Sequence, residues 1–513
     1  MRVTTVGIVA AAAMTLTSLT VWSLTSPGEP ADSRSAKRVI KPVDLKPEGS
    51  IEPASAPVAP VSPARFEDGG KTVGVEARLG HEVMASNVES STMLYLNAKP
   101  EVDAKNSTPV NMAILIDRSG SMQGKRIENA VSAAQGMVRR LRDGDAVSVV
   151  TYNTLTDVLV PVTTIDSTTR QGVIDKISKI VVNGDTCISC ALETGMEMLR
   201  QRQGMLDRML LLSDGQATAG VRDEQGLRRL AADARKMGYS ISSVGVDVNY
   251  NERIMTGVAQ ESNGYHYFVE DAASLPKIFD QELESLVHTV AKAAEVRVNL
   301  APGVQLLKVY DRTFRMEGST LVVPLGTFAA TDQKTVLLKL KVPPSAAGEH
   351  KIADVRLTYQ DLIKGGVGNS SGALASTFTG DPSKITTLDP LVSERVDRSE
   401  TAAALKEANR LFTSGRTQAA RSLIDRNRAL IKDRKRSSAR AVPSARRPAF
   451  DKSYERQLAA LDDADQGFSK PAVIATAPAS PYAAAKPAPP PAESRKGKAQ
   501  VRHNAQRAYD MAF

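Results

Sequence analysis

Residues 110–271 alternate strand-like apolar runs with amphipathic helical segments, and this alternation restricts the fold more than any other feature. The run 110–116 is almost entirely apolar, as expected for a strand that is covered on both faces. In the segment that follows, Ile127, Ala134 and Val138 recur at spacings that place them on one helical face. The pattern predicts an α/β, doubly wound domain, with a mostly parallel sheet between two layers of helices.

Strand-like runs without intervening helices lie on both sides of this block, which we delimit at 107–290. Residues 66–106 and 291–382 show the short alternating runs and the Gly, Asn and Pro turns that are typical of antiparallel strands. A β-sandwich either follows the α/β domain or contains it as an insertion. Because strands occur on both sides, we predict that the N-terminal strands join the later ones and that the α/β domain is inserted.

The N-terminal region has the composition of an export signal followed by a linker. Residues 1–25 contain a long uncharged stretch after Arg2, which fits either a cleaved signal peptide or a signal-anchor in the membrane. Residues 26–65 are rich in Pro, Ala and Ser and predict an extended linker. We therefore expect the protein to be exported, and to be periplasmic, anchored in the cell envelope or secreted.

The C-terminal region is predicted to contain a helical hairpin and then a tail. Residues 396–433 have helical apolar spacing on both sides of Gly415. Residues 434–513 are basic and rich in Pro and Ala, and we expect them to be mostly disordered apart from a short helix at residues 454–461. The net charge of +9 is concentrated in the C-terminal region, because residues 391–513 contain 24 Lys and Arg against 13 Asp and Glu and the rest of the chain is nearly neutral. This placement predicts a solvated tail and gives no reason to expect nucleic-acid binding.

Oxygen-bearing side chains follow the predicted strands of the α/β domain. Asp117, Ser119 and Ser121 come directly after the first strand, while Thr186 and Asp214 stand at comparable strand or loop ends. An open α/β sheet places its ligand crevice at this edge. Oxygen-only ligation favours Mg2+, with Mn2+ or Ca2+ as alternatives. Two carboxylates do not neutralise such an ion fully, so a carboxylate from outside would be attracted as a further ligand.

The order and spacing of these residues resemble a known motif. The D-x-S-x-S sequence at 117–121, a later Thr and an S-D-G after an apolar strand are similar to the metal-ion-dependent adhesion site of von Willebrand factor type A (VWA) domains. The resemblance implies that the two serines bind the ion directly and that Thr186 does so in the ligand-engaged state. It also implies that Asp117 and Asp214 hold the ion directly or through water. The wider layout resembles, more loosely, bacterial secreted relatives of the inter-alpha-trypsin inhibitor heavy chains.

The only two cysteines, Cys187 and Cys190, directly follow the predicted threonine ligand. In an oxidising compartment a local disulfide is the favoured interpretation. Two buried thiols and a redox-active pair are the alternatives.

The leading functional hypothesis is a non-enzymatic, metal-dependent module of the cell envelope that binds an Asp or Glu of a protein partner. The alternative is an assembly or regulatory factor for an envelope protein complex. A metal-assisted hydrolase is less favoured, because no nucleophile and general base can be assigned near the site. The loop 120–126 lacks the spacing of a phosphate-binding loop, which argues against nucleotide binding.

Overall fold

The computed structural model describes residues 64–103, 108–214, 216–469 and 490–512. The predicted signal or anchor segment and nearly all of the predicted linker lie outside these residues. Within the described ranges, no helix is both long and apolar enough to cross a membrane.

Four strands precede the α/β domain, and the first begins at the last residue of the predicted linker. They are β1 (Arg65–Asp68), β2 (Val73–Leu79), β3 (Val83–Ala85) and β4 (Ser90–Pro100). Side chains of β2 and β4 are buried because these strands form the middle of a sheet that has a second sheet packed on one face.

The described part of the α/β domain contains six strands and six α-helices. The strands are β5 (Val110–Asp117), β6 (Ala146–Tyr152), β7 (Thr156–Thr164), β8 (Leu206–Ser213), β9 (Ser240–Val246) and β10 (His266–Val269). The helices are α1 (Lys125–Arg140), α2 (Thr169–Ile177), α3 (Ile188–Arg200), α4 (Glu224–Lys236), α5 (Glu252–Glu261) and α6 (Leu275–Val287). The sheet order is β10-β9-β8-β5-β6-β7, and only β7 runs antiparallel to its neighbour.

Apolar cores cover both faces of this sheet. One core joins the sheet to α1, α2 and α6, and the other joins it to α3, α4 and α5. The chain therefore leaves β5 for one face through α1 and reaches β8 from the other face through α3. This reversal opens a crevice at the carboxyl end of β5, which is where the predicted site lies.

The remaining strands complete a sandwich of two sheets. They are β11 (Thr289–Leu300), β12 (Gln305–Tyr310), β13 (Arg315–Glu317), β14 (Thr320–Ala329), β15 (Lys334–Val342), β16 (Gly348–Asp361) and β17 (Val367–Thr379). One sheet has the order β1-β2-β4-β15-β12 and the other β13-β14-β11-β16-β17-β3. β4 pairs antiparallel with β15, so strands from both sides of the α/β domain share a sheet and one apolar core. The α/β domain is therefore an insertion in the sandwich, and the predicted fold class is confirmed.

The C-terminal region is more ordered than the sequence predicts. Its helices are α7 (Pro390–Thr413), α8 (Thr417–Ala439), α9 (Arg447–Ser469) and α10 (Arg495–Ala512). The first two form the predicted hairpin, with Gly415 between them in the left-handed region at φ 78°.

The expectation that residues 434–513 are mostly disordered is wrong for α10 and for the parts of α9 outside the predicted helix at residues 454–461. Phe450, Tyr454, Leu461 and Phe468 recur along one face of α9 and are buried against α7 and α8. The charged residues between them, five acidic and two basic, make the segment polar on average, although they do not interrupt this apolar stripe. The most Pro- and Ala-rich part, residues 470–489, lies outside the described residues.

Candidate metal site

Asp117 anchors the site at the carboxyl end of β5. Its carboxylate is fully buried, where Oδ1 accepts the Ser119 N–H at 2.9 Å and Oδ2 accepts the Ser213 hydroxyl at 2.8 Å. Ser213 ends the neighbouring strand β8. The polar residues at the ends of two adjacent parallel strands therefore lie in contact, as the sequence predicts.

A chain of hydrogen bonds joins the predicted ligands of these two strands. The hydroxyls of Ser119 and Ser121 are 3.1 Å apart, and the Ser121 hydroxyl donates to Asp214 Oδ1 at 2.7 Å. Asp117, Ser119, Ser121 and Asp214 thus form one continuous oxygen cluster.

Thr186 lies in the loop before α3, and main-chain hydrogen bonds tie this loop to the cluster. The Gly120 N–H donates to the Gly184 carbonyl at 3.0 Å, two residues before Thr186. The Thr186 N–H donates to the Thr218 hydroxyl at 2.9 Å, and its carbonyl accepts the Thr218 N–H at the same distance. Thr186 is thus fixed between the loop that carries the serines and the loop that follows Asp214.

Burial acts on both carboxylates of the cluster. It raises the pKa of Asp117 to about 6, against the opposing effect of the hydrogen bonds from Ser119 and Ser213. Burial also raises the pKa of Asp214, and the Ser121 hydrogen bond and the Arg126 charge only partly offset it. Desolvated carboxylates of this kind gain stability from a nearby cation.

The donor set fits a hard divalent cation. All the candidate ligands are oxygen atoms. One of the two carboxylates already has a positively charged partner, because Arg126 Nη1 lies 2.7 Å from Asp214 Oδ2. In the described part of the chain, no cluster of three or more His, Cys, Asp or Glu residues is arranged to hold a metal. The candidate site contains only two such residues, Asp117 and Asp214, with hydroxyls as its other oxygen atoms, and this chemistry suits a hard cation better than zinc or copper.

Arg126 and Asp247 are parts of the site region that the sequence analysis did not identify. The Arg126 guanidinium bridges Asp214 and Asp247 and also donates to the Ser121 carbonyl. Burial raises the pKa of Asp247, but the Val248 N–H and the charges of Arg126 and Arg495 outweigh it and leave the pKa below its ordinary value. Asp247 directly follows β9, and this position at the same edge of the sheet is the signal that could have identified it.

A disulfide joins Cys187 and Cys190 at the start of α3, directly after Thr186. Its Cα atoms are 5.4 Å apart, within the usual range for a disulfide. The hydroxyl of Ser189 accepts the Val221 N–H at 2.9 Å, which links this turn to the loop after Asp214. The disulfide therefore stiffens the segment that presents Thr186.

Comparisons with known proteins identify the family of the α/β domain. Residues 111–281 match the family model of the von Willebrand factor type A domain. An uncharacterized protein of Synechocystis sp., sll0103, is 24% identical over 270 residues, which cover 50% of this chain and 63% of that protein. The uncharacterized protein YfbK of Escherichia coli is 26% identical over 266 residues, covering 50% of this chain and 46% of its own length. Each match therefore spans less than two thirds of the relative.

The fold of a larger part of the chain is shared with a solved structure. A von Willebrand factor type A protein from Catenulispora acidiphila superposes with a TM-score of 0.63 at 18% sequence identity. The superposition covers 79% of this chain and 91% of that protein. The likeness therefore extends beyond the α/β domain.

Proposed function

Because residues 111–281 form a von Willebrand factor type A domain, we propose that this protein binds protein partners through a divalent cation. VWA domains commonly serve as protein-interaction modules. The cation would be Mg2+, with Mn2+ or Ca2+ as alternatives. The residues proposed to hold it are Asp117, Ser119, Ser121, Thr186 and Asp214.

The oxygen cluster at the ends of β5 and β8 is the observation that carries this proposal. Its two carboxylates and neutral hydroxyls would leave a divalent ion with uncompensated positive charge. When bound, the ion would supply an open coordination position for a carboxylate of the partner. We therefore propose that the partner presents an Asp or a Glu, and that the role is binding rather than catalysis.

Exposed apolar side chains on the surrounding loops support a protein partner. Leu155 is 72% exposed and Val181 is 71% exposed, on the two loops that a hydrogen bond between the Asp185 N–H and the Thr154 hydroxyl holds together. Val221, on the loop after Asp214, is 36% exposed. Apolar groups around a polar centre are typical of protein interfaces.

We also propose that the protein acts outside the cytoplasm. The N-terminal pattern of residues 1–25 supports export, with either a cleaved signal or a membrane anchor. The disulfide between Cys187 and Cys190 supports an oxidising compartment.

The test is a thermal-unfolding series on the full chain with Mg2+, Mn2+, Ca2+ or EDTA. An ion at 100 times its dissociation constant would stabilise the native state by about 2.7 kcal/mol, which raises the midpoint of the domain by about 5 to 11 °C. Asp117→Ala should abolish the rise. The matched control is Asp185→Ala, which removes an exposed acid from the loop beside the site and should preserve the rise.

Partner capture in the presence of Mg2+ or EDTA completes the test. Partners that bind the unmodified chain only with Mg2+, and do not bind Asp117→Ala, would support the proposal. A partner that is retained by Asp117→Ala and in EDTA would instead favour the assembly or regulatory role. An unchanged midpoint in all three metals contradicts the proposed metal site.

A further inference from the structure

Helix α10 covers the open edge of the VWA sheet. The side-chain amide of Gln506 donates to the His266 carbonyl at 2.9 Å and accepts the Phe268 N–H at 3.0 Å. Both groups belong to the edge strand β10, so one side chain takes the place of a neighbouring strand. The Tyr509 hydroxyl adds a hydrogen bond of 2.7 Å to the Gly264 carbonyl. The last helix of the chain is thus docked on the domain that carries the metal site.

Charged contacts extend this docking towards the site. Lys498 Nζ lies 3.1 Å from Asn249 Oδ1, and Arg502 forms an ion pair with Glu252. At the start of the helix, Arg495 Nη1 lies 2.7 Å from Asp247 Oδ1. The first turn of α10 is therefore held by the loop that follows β9, at the edge where the metal site lies.

Asp247 is shared between α10 and the metal site. Its other oxygen pairs with Arg126, whose Nη1 lies 2.7 Å from Asp214 Oδ2. Two carboxylates and two guanidinium groups thus alternate in a neutral row, Asp214–Arg126–Asp247–Arg495. The row is buried at the metal end and open at the helix end: the side chain of Asp214 is 0% exposed and that of Arg495 is 62% exposed.

A divalent ion at Asp214 would upset the charge balance of this row. The ion would bind the Asp214 carboxylate, which Arg126 now neutralises, and would repel the Arg126 guanidinium. Asp247 is then the only counter-ion left to Arg126 in the row, and its single negative charge is shared with Arg495, which pairs with its other oxygen. Arg495 is the most exposed member of the row, so its release into water costs the least.

We propose that cation binding and docking of the first turn of α10 oppose each other through Arg126 and Asp247. This inference rests on the proposed metal site and assigns its regulation. Because such coupling is reciprocal, a partner that lifts the start of α10 tightens ion binding, and the ion in turn loosens the helix. The docked helix α10 therefore lowers the affinity of the adhesion-type site for its cation.

The coupling is tested by titrating Mn2+ into the full chain by calorimetry. Arg495→Gln should tighten Mn2+ binding by about fivefold, within the usual range of coupling between sites. Arg126→Gln should also tighten it, and adding Arg495→Gln to that variant should have little further effect. Arg507→Gln is the matched control, because Arg507 lies on the same helix but pairs with Asp463 of α9. Its Mn2+ affinity should equal that of the unmodified chain.

Hydrogen exchange supplies a readout that does not depend on metal affinity. Mn2+ should accelerate exchange of the amides in residues 495–502 of the unmodified chain, and this effect should disappear in Arg126→Gln. The inference is overturned if Arg495→Gln binds Mn2+ with the same affinity as the unmodified chain. It is also overturned if Mn2+ does not change the amide exchange of residues 495–502. A chain that binds no Mn2+ contradicts the proposed function itself, and with it this coupling.

Discussion

The buried ion pair between Arg208 and Glu282 fixes α6 on the VWA sheet, and replacing Glu282 is a severe test of the fold. Glu282 is fully buried on α6, and its Oε1 lies 2.8 Å from Arg208 Nη1 on β8. The same oxygen accepts the Ser242 hydroxyl at 2.7 Å, and Oε2 accepts the Tyr267 hydroxyl at 2.9 Å. One side chain thus ties α6 to β8, β9 and β10.

The size of the expected effect follows from the burial of both partners. The side chain of Arg208 is 1% exposed, so Glu282→Ala would leave a charged guanidinium in the interior without its counter-ion. Removing one partner of a buried ion pair lowers the free energy of unfolding by about 3–5 kcal/mol. A loss of about 4 kcal/mol lowers the unfolding midpoint of a domain of this size by about 8–16 °C.

The assay is thermal unfolding, combined with hydrogen exchange of the α6 amides. Glu282→Ala should lower the midpoint and reduce protection in α6 before other elements of the domain. Arg208→Met combined with Glu282→Leu is the decisive comparison. Because neither charge is then left alone, the double variant should be more stable than Glu282→Ala.

Two outcomes would refute this reasoning. One is a loss in Glu282→Ala of less than about 1 kcal/mol, the range of exposed ion pairs, which would mean that water reaches Arg208. The other is a double variant that is less stable than the single one. That result would mean that the hydroxyls of Ser242 and Tyr267, rather than the charges, dominate the effect.

Three further predictions concern the same domain. Replacing Cys187 and Cys190 by Ala should lower the unfolding free energy by about 2 kcal/mol in denaturant titrations, because the bridge spans only three positions. Burial lowers the pKa of His266 to about 3, so the unfolded chain alone takes up this proton below its ordinary pKa of about 6.5. The free energy of unfolding should therefore fall by about 1.4 kcal/mol for each unit by which the pH is lowered from about 6.5 towards about 3. His266→Asn should remove that part of the slope of urea midpoints against pH. A Cβ at Gly264 would lie 2.1 Å from the Ile241 carbonyl oxygen, so Gly264→Ala should cost about 3 kcal/mol, or more, in the same titration.

The central part of the fold could be predicted because its determinants are local. The apolar run that becomes β5 and the helical spacing of α1 depend on residues a few positions apart. Asp117 follows directly because it ends that strand. The element β7 was not predicted, since its polar and half-exposed side chains lack the signal of a buried strand. Of α9 only residues 454–461 were predicted, and α10 was missed because basic residues dominate its composition.

The sequence by itself determined the alternation of strands and helices in the VWA domain, the oxygen-rich ends of β5 and β8, and the presence of sandwich strands before and after the VWA domain. Only the tertiary structure decided which charges meet there. Asp247 and Arg495 are 248 residues apart, and nothing in the local pattern of either predicts that they pair. The physical reason is that periodicity and turn chemistry act between neighbours along the chain. Ion pairs depend instead on which surfaces the packed cores bring together, and Arg495 reaches Asp247 because α10 packs against β10.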